Sequence, residues 1–300
     1  VAETNDWITF DGQLQPEDQP VATASSRGLM YGEGVFETLR IYKNHTLLLN
    51  KHVERLKEGL NVLGISPSEL PSLSELGKQL AKLLQKKSLT NTDGIARIQC
   101  WQEGGRGYHT TGEGSLHYMI SASACPSEYG NPDLATVSRC RIPSQSLPSV
   151  GKFTNGINYI LSAREAGSKG ADDALMQTVE GWISETTIAN LFWIEGNKLY
   201  TPSLECDLLP GITRHLIINI VEDHEKYELK QGKYELSTLG EAEAVIICNS
   251  VRELVAVQTV DGKHFEIDHP ITKELQKLYS TFRDQNLKAL PSVNPDYSRS

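Results

Sequence analysis

The chain has no apolar run approaching the roughly 20 residues that a membrane-spanning helix needs, so no membrane partner is expected. It also lacks an excess of basic residues. Lys and Arg number 29 against 38 Asp and Glu, a net charge of −9. An acidic chain is a poor match for nucleic acid, whose binding rests on neutralised phosphates. Cysteines are few: Cys100, Cys125, Cys140, Cys206 and Cys248, odd in number and far apart. None lies in a CxxC pair, so neither a disulfide framework nor a zinc or other metal site is expected. The thiols read as buried groups in a reducing compartment. Val1 to Thr4 show neither the basic segment nor the apolar core of a secretory signal. The expectation is therefore a cytoplasmic protein. No internal repeat is visible.

What is present suits a soluble globular protein with two cores. The chain has 300 residues, 39% of them hydrophobic and 22% charged, enough for two domains. In the first half, Trp7 to Phe10 predicts a strand and Asp11-Gly12 a hairpin turn. The second half of Ser25 to Tyr42 alternates like a strand, at Val35, Thr38, Leu39 and Ile41, and Leu47 to Leu49 predicts a buried strand. Asn50 predicts an N-cap for a helix bearing His52, Arg55, Leu56 and Leu60. A leucine-rich helix runs from about Leu70 to Lys86. Ile95 to Trp101 and Leu116 to Ser123 predict strands, with the glycine-rich loop 103–114 between them. Pro126, Gly130 and Pro132 mark a boundary. The expected division is an N-terminal domain over 1–121, a linker over 122–132, a C-terminal domain over 133–290 and a disordered tail over 291–300.

The second half centres on residues 151–190. Lys152 follows a Pro- and Ser-rich loop. A helix pattern runs from Gly156 to Ser168, with apolar residues at Ile157, Ile160, Leu161 and Ala163. Strands at Ala174 to Thr178 and Trp182 to Ser184 join through a turn at Glu180-Gly181, and Glu185 closes the second. Further on, Asn190 to Glu195 and Lys198 to Thr201 predict a hairpin around Gly196-Asn197. Leu208 to Arg214 leads into a helix, Ala244 to Cys248 and Leu254 to Gln258 predict strands, and a last helix starts at Pro270. A lysine is ordinarily a solvated surface group. A lysine at the mouth of a helix and a carboxylate at the end of a hairpin are, however, the pair that a pyridoxal phosphate (PLP) enzyme needs: an amine to bond the cofactor and an acid to hold its pyridine nitrogen protonated.

The order of motifs resembles the fold-type IV PLP enzymes: branched-chain and D-amino-acid aminotransferases and 4-amino-4-deoxychorismate lyases. The residues that carry this are Lys152, Asn155, Glu165-Ala166, Gly170-Ala171-Asp172-Asp173-Ala174, Glu185 and Asn190-Leu191-Phe192. One acid, Asp173, stands where Glu is usual. The resemblance spans roughly residues 8 to 285. It implies an α+β fold of the D-amino-acid aminotransferase type, with a smaller N-terminal α/β domain and a larger C-terminal domain with a barrel-like sheet. It further implies a homodimer and a PLP site in the cleft between the domains.

The resemblance also implies roles. Lys152 bonds the cofactor and shuttles protons, Glu185 meets the pyridine nitrogen, and Asn155 belongs to the cofactor site. Arg55, in His52-Val53-Glu54-Arg55-Leu56, binds phosphate, for which a guanidinium fork is suited; unaided, it would read as a surface arginine pairing with Glu54 or Glu58. Leu209-Pro210-Gly211-Ile212-Thr213-Arg214 resembles the phosphate cup, with Ile212 and Thr213 at a helix N-terminus. Ser250 stands where many relatives place Thr. Gly104-Gly105-Arg106-Gly107-Tyr108 resembles the lyases, which use the arginine for a substrate carboxylate, and Tyr31 and Tyr108 are further substrate-binding candidates. Thr38 occupies the position of the lyases' mechanistic threonine, whereas Tyr31 and Arg27 are common to the whole group. The implied function is cleavage of 4-amino-4-deoxychorismate to 4-aminobenzoate and pyruvate, in folate synthesis. The alternatives are a D- or branched-chain amino-acid aminotransferase and a non-catalytic PLP-binding protein.

Overall fold

Alternation of apolar and polar residues along 34–42 and 94–102 calls for paired strands, and these two form the middle of the first sheet. A computed structural model of the chain describes residues 6–109, 114–224 and 226–292. The chain divides into two compact units. One comprises Val1–Ser127, Gly151–Asn155 and Asn286–Ser300, the other Glu128–Val150 and Gly156–Gln285.

The first unit contains β1 (Trp7–Phe10), β2 (Gln13–Pro16), the short α1 (Arg27–Tyr31), β3 (Gly34–Tyr42), β4 (His45–Thr46), α2 (Leu49–Val62), α3 (Leu73–Lys86), β5 (Gly94–Gln102) and β6 (Leu116–Ala124). The strands form an antiparallel sheet in the order β4-β3-β5-β6-β1-β2, and Lys288–Ala289 extends it at the β4 edge. Val35, Leu39 and Ile41 of β3 pack with Leu56 and Leu60 of α2 and Leu76, Leu80, Leu83 and Leu84 of α3. The pleat puts alternate residues on opposite faces. Thr38, grouped with the apolar positions by the sequence reading, therefore lies half-buried on the other face, with Phe36 and Arg40. The expected strand at Leu47 to Leu49 is absent. The strand is His45–Thr46, Leu48 takes a left-handed conformation as N-cap of α2, and Asn50 lies inside the helix.

Glu37 is the exception on the core face of β3. It is fully buried (0% exposed), yet charged partners surround it. Arg55 of α2 donates to both its oxygens, Nε to Oε1 at 2.7 Å and Nη2 to Oε2 at 2.8 Å, and His52 Nδ1 lies 2.7 Å from Oε2. Burial by itself would raise this carboxyl. The Arg55 charge and the hydrogen bonds from Arg55 and His52 outweigh it, and hold the pKa at about 2.

The Lys152 segment also belongs to this unit, which corrects the expected placement of all of 133–290 in one C-terminal domain. The cause is backbone pairing. Phe36 N donates to Lys152 O at 2.8 Å, Thr154 N to Gly34 O at 2.9 Å, and Val35 bridges Phe153. Two glycines permit the approach, since a Cβ on Gly151 would lie 2.8 Å from the Gly59 Cα of α2. The expected tail from 291 lies, from residue 293 onward, outside the described residues, and Leu290 just before it is buried.

The second unit contains β7 (Asp133–Thr136), α4 (Ile157–Ser168), β8 (Asp173–Gln177), β9 (Ile183–Thr186), β10 (Asn190–Glu195), β11 (Lys198–Pro202), α5 (Ile212–His224), β12 (Glu228–Gly232), β13 (Ala244–Asn249), β14 (Glu253–Ala256), β15 (Thr259–Val260), β16 (Lys263–His264) and α6 (Pro270–Asn286). Two five-stranded sheets result, β12-β11-β10-β13-β14 and β16-β15-β7-β8-β9. They share one core, in which Leu134, Leu175 and Ile183 from one sheet meet Leu191, Trp193, Val245 and Ile247 from the other. The periodicity of α4 places it correctly, but its apolar positions are exposed: Ile157 at 63%, Ile160 at 45% and Leu161 at 36%. Ser162 and Ala166 are its buried residues.

The Glu37 pair yields a stability prediction. Glu37→Gln leaves the Arg55 charge buried without its acid, and should cost about 3–5 kcal/mol in denaturant unfolding at neutral pH. The folded-state pKa is depressed from 4.5 to about 2. The stabilisation is thus complete above 4.5 and is lost as pH falls through about 2. The gap between wild type and Glu37→Gln should narrow over that window. A neutral-pH cost below about 1 kcal/mol would mean that the pair contributes no more than a surface ion pair.

Candidate active site

The face of β3 and β5 opposite the helices carries the first group of candidates. Register pairs Phe36 with Gln99 and Thr38 with Arg97. The Arg97 guanidinium sits 3.6 Å from the centre of the Phe36 ring, and Lys152 Nζ lies 5.5 Å from the same centre. Two cations therefore gather around one aromatic ring, with Thr38 on the same face of β3. Arg97 donates to Gln99 Oε1 at 3.1 Å and has no carboxylate partner among the described residues. Burial lowers its pKa, the response of a cation taken from water without an acid beside it. Arg55 belongs to the other face of β3, held by Glu37. It is buried, with Glu37 as its bidentate partner, where the sequence alone would read a surface arginine. Asn155 is exposed and lies against Gly32, just after α1.

Tyr31, Arg106 and Tyr108 form a second group in the same unit. The Tyr31 hydroxyl accepts from Gly107 N at 2.7 Å, and the Tyr31 and Tyr108 rings lie 5.5 Å apart. Arg106 is exposed, and Tyr108 is 91% exposed. Residues 110–113 of the glycine-rich loop lie outside the described residues.

In the second unit, Glu185 lies within β9 and is almost fully buried. Arg141 Nε stands 3.2 Å from Oε1, and the Tyr159 hydroxyl donates to the same oxygen at 3.3 Å. Asn190 Nδ2 and Leu209 N each donate to Oε2 at 3.1 Å. A cation and three hydrogen-bond donors stabilise its negative charge in a site without bulk water. Burial first, and then the Glu185 charge, push the Tyr159 hydroxyl well above the usual tyrosine range, so it remains a donor. Arg141 is fixed in turn: Nε and Nη2 both donate to Asp207 O, at 3.1 and 2.8 Å, and its guanidinium lies 4.8 Å from the Tyr159 ring centre.

The acid and the expected phosphate cup are built as one piece. Asn190 Nδ2 also donates to Leu209 O at 3.0 Å, so both backbone groups of Leu209 are tied to the Glu185 cluster. Two residues later a Cβ on Gly211 would fall 1.9 Å from Asn190 Oδ1, which only glycine avoids. Ile212 then opens α5, with Thr213 buried in its first turn. The first N–H groups of a helix lack intrahelical partners and suit an anion. Arg214 anchors this end by donating to Pro202 O at 2.8 Å and Gln231 Oε1 at 3.0 Å. Ser250 follows β13 in a turn where Asn249 Oδ1 accepts from Val251 N and Arg252 N.

Sequence reasoning did not single out Arg97, Arg141 or Tyr159. Arg97 had a local signal, as the single charged residue in the strand 94–102. Arg141 had none, because its partners Asp207 and Glu185 are distant in sequence. Within the second unit, a buried carboxylate and a helix N-terminus joined to it by Asn190 fit a group with a protonated ring nitrogen and a phosphate. Among the described residues no cluster suits a metal ion.

Comparison with known proteins agrees with this architecture. A branched-chain aminotransferase structure from Thermoproteus uzoniensis, solved with norvaline, superposes with a TM-score of 0.86 at 25% identity, over 95% of this chain and 99% of that one. A branched-chain aminotransferase from Thermobaculum terrenum, solved in its PLP form, gives 0.85 at 20% identity over 97% and 100%, a likeness of fold. The aminodeoxychorismate lyase of Bacillus subtilis is 29% identical over 91% of this chain and 93% of that protein. The pattern of the family described as Amino-transferase class IV matches residues 34–260, and the chain belongs to that family.

Proposed function

We propose that this protein is an aminodeoxychorismate lyase, which cleaves 4-amino-4-deoxychorismate to 4-aminobenzoate and pyruvate. The cofactor is pyridoxal 5'-phosphate, which supplies an electron sink for the carbanion formed at the amine-bearing carbon. The observation that carries the reading is the loop Gly104 to Tyr108, in which the exposed Arg106 precedes a backbone group bonded to Tyr31, whose ring lies against Tyr108. A permanently charged fork of this kind suits a dicarboxylate substrate.

Each residue has a role in this reading. Lys152 bonds the cofactor and carries the proton removed from the amine-bearing carbon. Glu185 holds the proton on the pyridine nitrogen, with Arg141, Tyr159 and Asn190 fixing the carboxylate. Arg55, the N–H groups of Ile212 and Thr213, the Thr213 hydroxyl and Ser250 hold the phosphate, and Asn155 lies beside the cofactor. Arg106 holds a substrate carboxylate, with Tyr108 beyond it in the same loop and Tyr31 bonded to the loop backbone. Thr38 gives a proton to the departing enolpyruvyl group as its C–O bond breaks. The likeness to branched-chain aminotransferases supports a second reading, in which the same lysine returns the amine to a keto acid. We also propose a cytoplasmic homodimer.

Three measurements test this. Borohydride should fix the cofactor on the peptide containing Lys152, and an adduct on another lysine would refute its role. Incubation with an amino donor alone should leave the visible absorbance of the holoenzyme largely intact, whereas an aminotransferase bleaches. Arg106→Ala should keep that absorbance yet lose at least about tenfold in kcat/KM for pyruvate release, with Arg106→Lys restoring only part. An unchanged kcat/KM would remove Arg106 from substrate binding and favour the aminotransferase.

A further inference from the structure

Arginine 106 sits in a segment that composition marks as loose. Gly104, Gly105 and Gly107 surround it, all with positive φ, at 90°, 76° and 87°. Such a backbone would ordinarily sample many conformations. In the structure it is captured. Arg27, on α1, is 3% exposed, and its Nη1 donates to Gly105 O at 3.2 Å and to Gly107 O at 2.8 Å. These are the carbonyls of the residues on either side of Arg106. The next donor in the loop, Gly107 N, is taken by the Tyr31 hydroxyl at 2.7 Å. Arg27 is itself fixed, since its Nε pairs with Glu33 and its guanidinium lies 4.9 Å from the Tyr31 ring centre.

We propose that Arg27 and Tyr31 form a latch whose task is to hold the backbone on both sides of Arg106, making them positioning residues for substrate recognition. The proposal rests on the reading of Arg106 as the substrate-carboxylate group. The Arg27 side chain is inside the protein, with Nε on Glu33 and Nη1 on two loop carbonyls, so it orders the loop and leaves the substrate to Arg106. A recognition arginine on a free glycine loop would lose conformational entropy at each binding event. One whose neighbouring peptide groups are already bonded loses less. The latch also explains why arginine is needed at position 27. One terminal nitrogen spans two carbonyls while Nε holds the acid, a division that the single ammonium of lysine does not reproduce.

The test uses the full-length holoenzyme and two variants. Tyr31→Phe keeps the ring and removes only the acceptor for Gly107 N. Arg27→Lys keeps a charge for Glu33 but not both carbonyl bonds, and Tyr31→Phe carries the test if Arg27→Lys does not fold. Hydrogen exchange of the peptide covering Gly104 to Tyr108, together with tryptic cleavage after Arg106, reads the loop directly and independently of chemistry. Both variants should expose the loop, with exchange and cleavage several-fold faster than wild type. The KM for aminodeoxychorismate should rise while kcat changes little. Unchanged exchange and cleavage in both variants would overturn the latch. A loosened loop with unaltered KM would overturn its role in recognition. Failure of the underlying reading is separate, because it appears in Arg106→Ala as an unaltered kcat/KM whatever the loop does.

Discussion

The second unit depends on holding one carboxylate, Glu185, charged and out of water. Burying a lone carboxylate costs several kcal/mol unless a cation and hydrogen-bond donors replace the lost hydration. Arg141, Tyr159, Asn190 and Leu209 N do this from four separate segments. The requirement propagates outward. Arg141 is held by the carbonyl of Asp207, a residue in left-handed conformation, and the Asp207 carboxylate is itself bonded to Ser144 N and Oγ. Asn190 reaches both Glu185 and the carbonyl of Leu209, so the loop entering α5 cannot shift without disturbing the acid. The buried acid and the N-terminus of α5 are thereby kept at constant spacing.

The first unit solves the same problem for a different end. Glu37 is as deeply buried, and Arg55 and His52 supply its compensation. Here the acid serves the arginine. A bidentate partner fixes the plane of the Arg55 guanidinium and locks α2 onto β3, the strand whose other face carries Phe36 and Thr38. One strand thus orients an arginine through one face and presents the candidate catalytic groups through the other.

Much of this was legible in the sequence where local chemistry decides. The strands of 34–42 and 94–102, the hairpin around Gly196-Asn197, the helix after Pro210-Gly211 and the helix from Pro270 all appear where pattern and turn residues put them. Short elements misled, because β4 is two residues long and its role was given to the leucines after it. The face of α4 misled too, because apolar spacing identifies a helix without saying which side is covered. The membership of Lys152 was beyond reach, since it follows from backbone bonds to Gly34 and Phe36, more than a hundred residues away. The same holds for Arg141 and for the Arg27 contacts to Gly105 and Gly107, which join segments with no common local signal.

These features differ in how deeply they are built into the fold. The Glu185 cluster, the α5 entrance and the Glu37–Arg55 pair lie in the interior, where any change of shape or charge costs stability. Relatives with different activities can share them, which accounts for a likeness to lyases and aminotransferases alike. Arg106 and Tyr108 sit instead on exposed loop backbone, where side chains can change without disturbing a core. Reaction choice in such an enzyme requires that the same cofactor chemistry be offered to differently shaped acids, and it therefore falls to groups outside the core. A loop ordered before a ligand arrives loses less entropy on binding it, and the two bonds that Arg27 makes on either side of Arg106 supply such order.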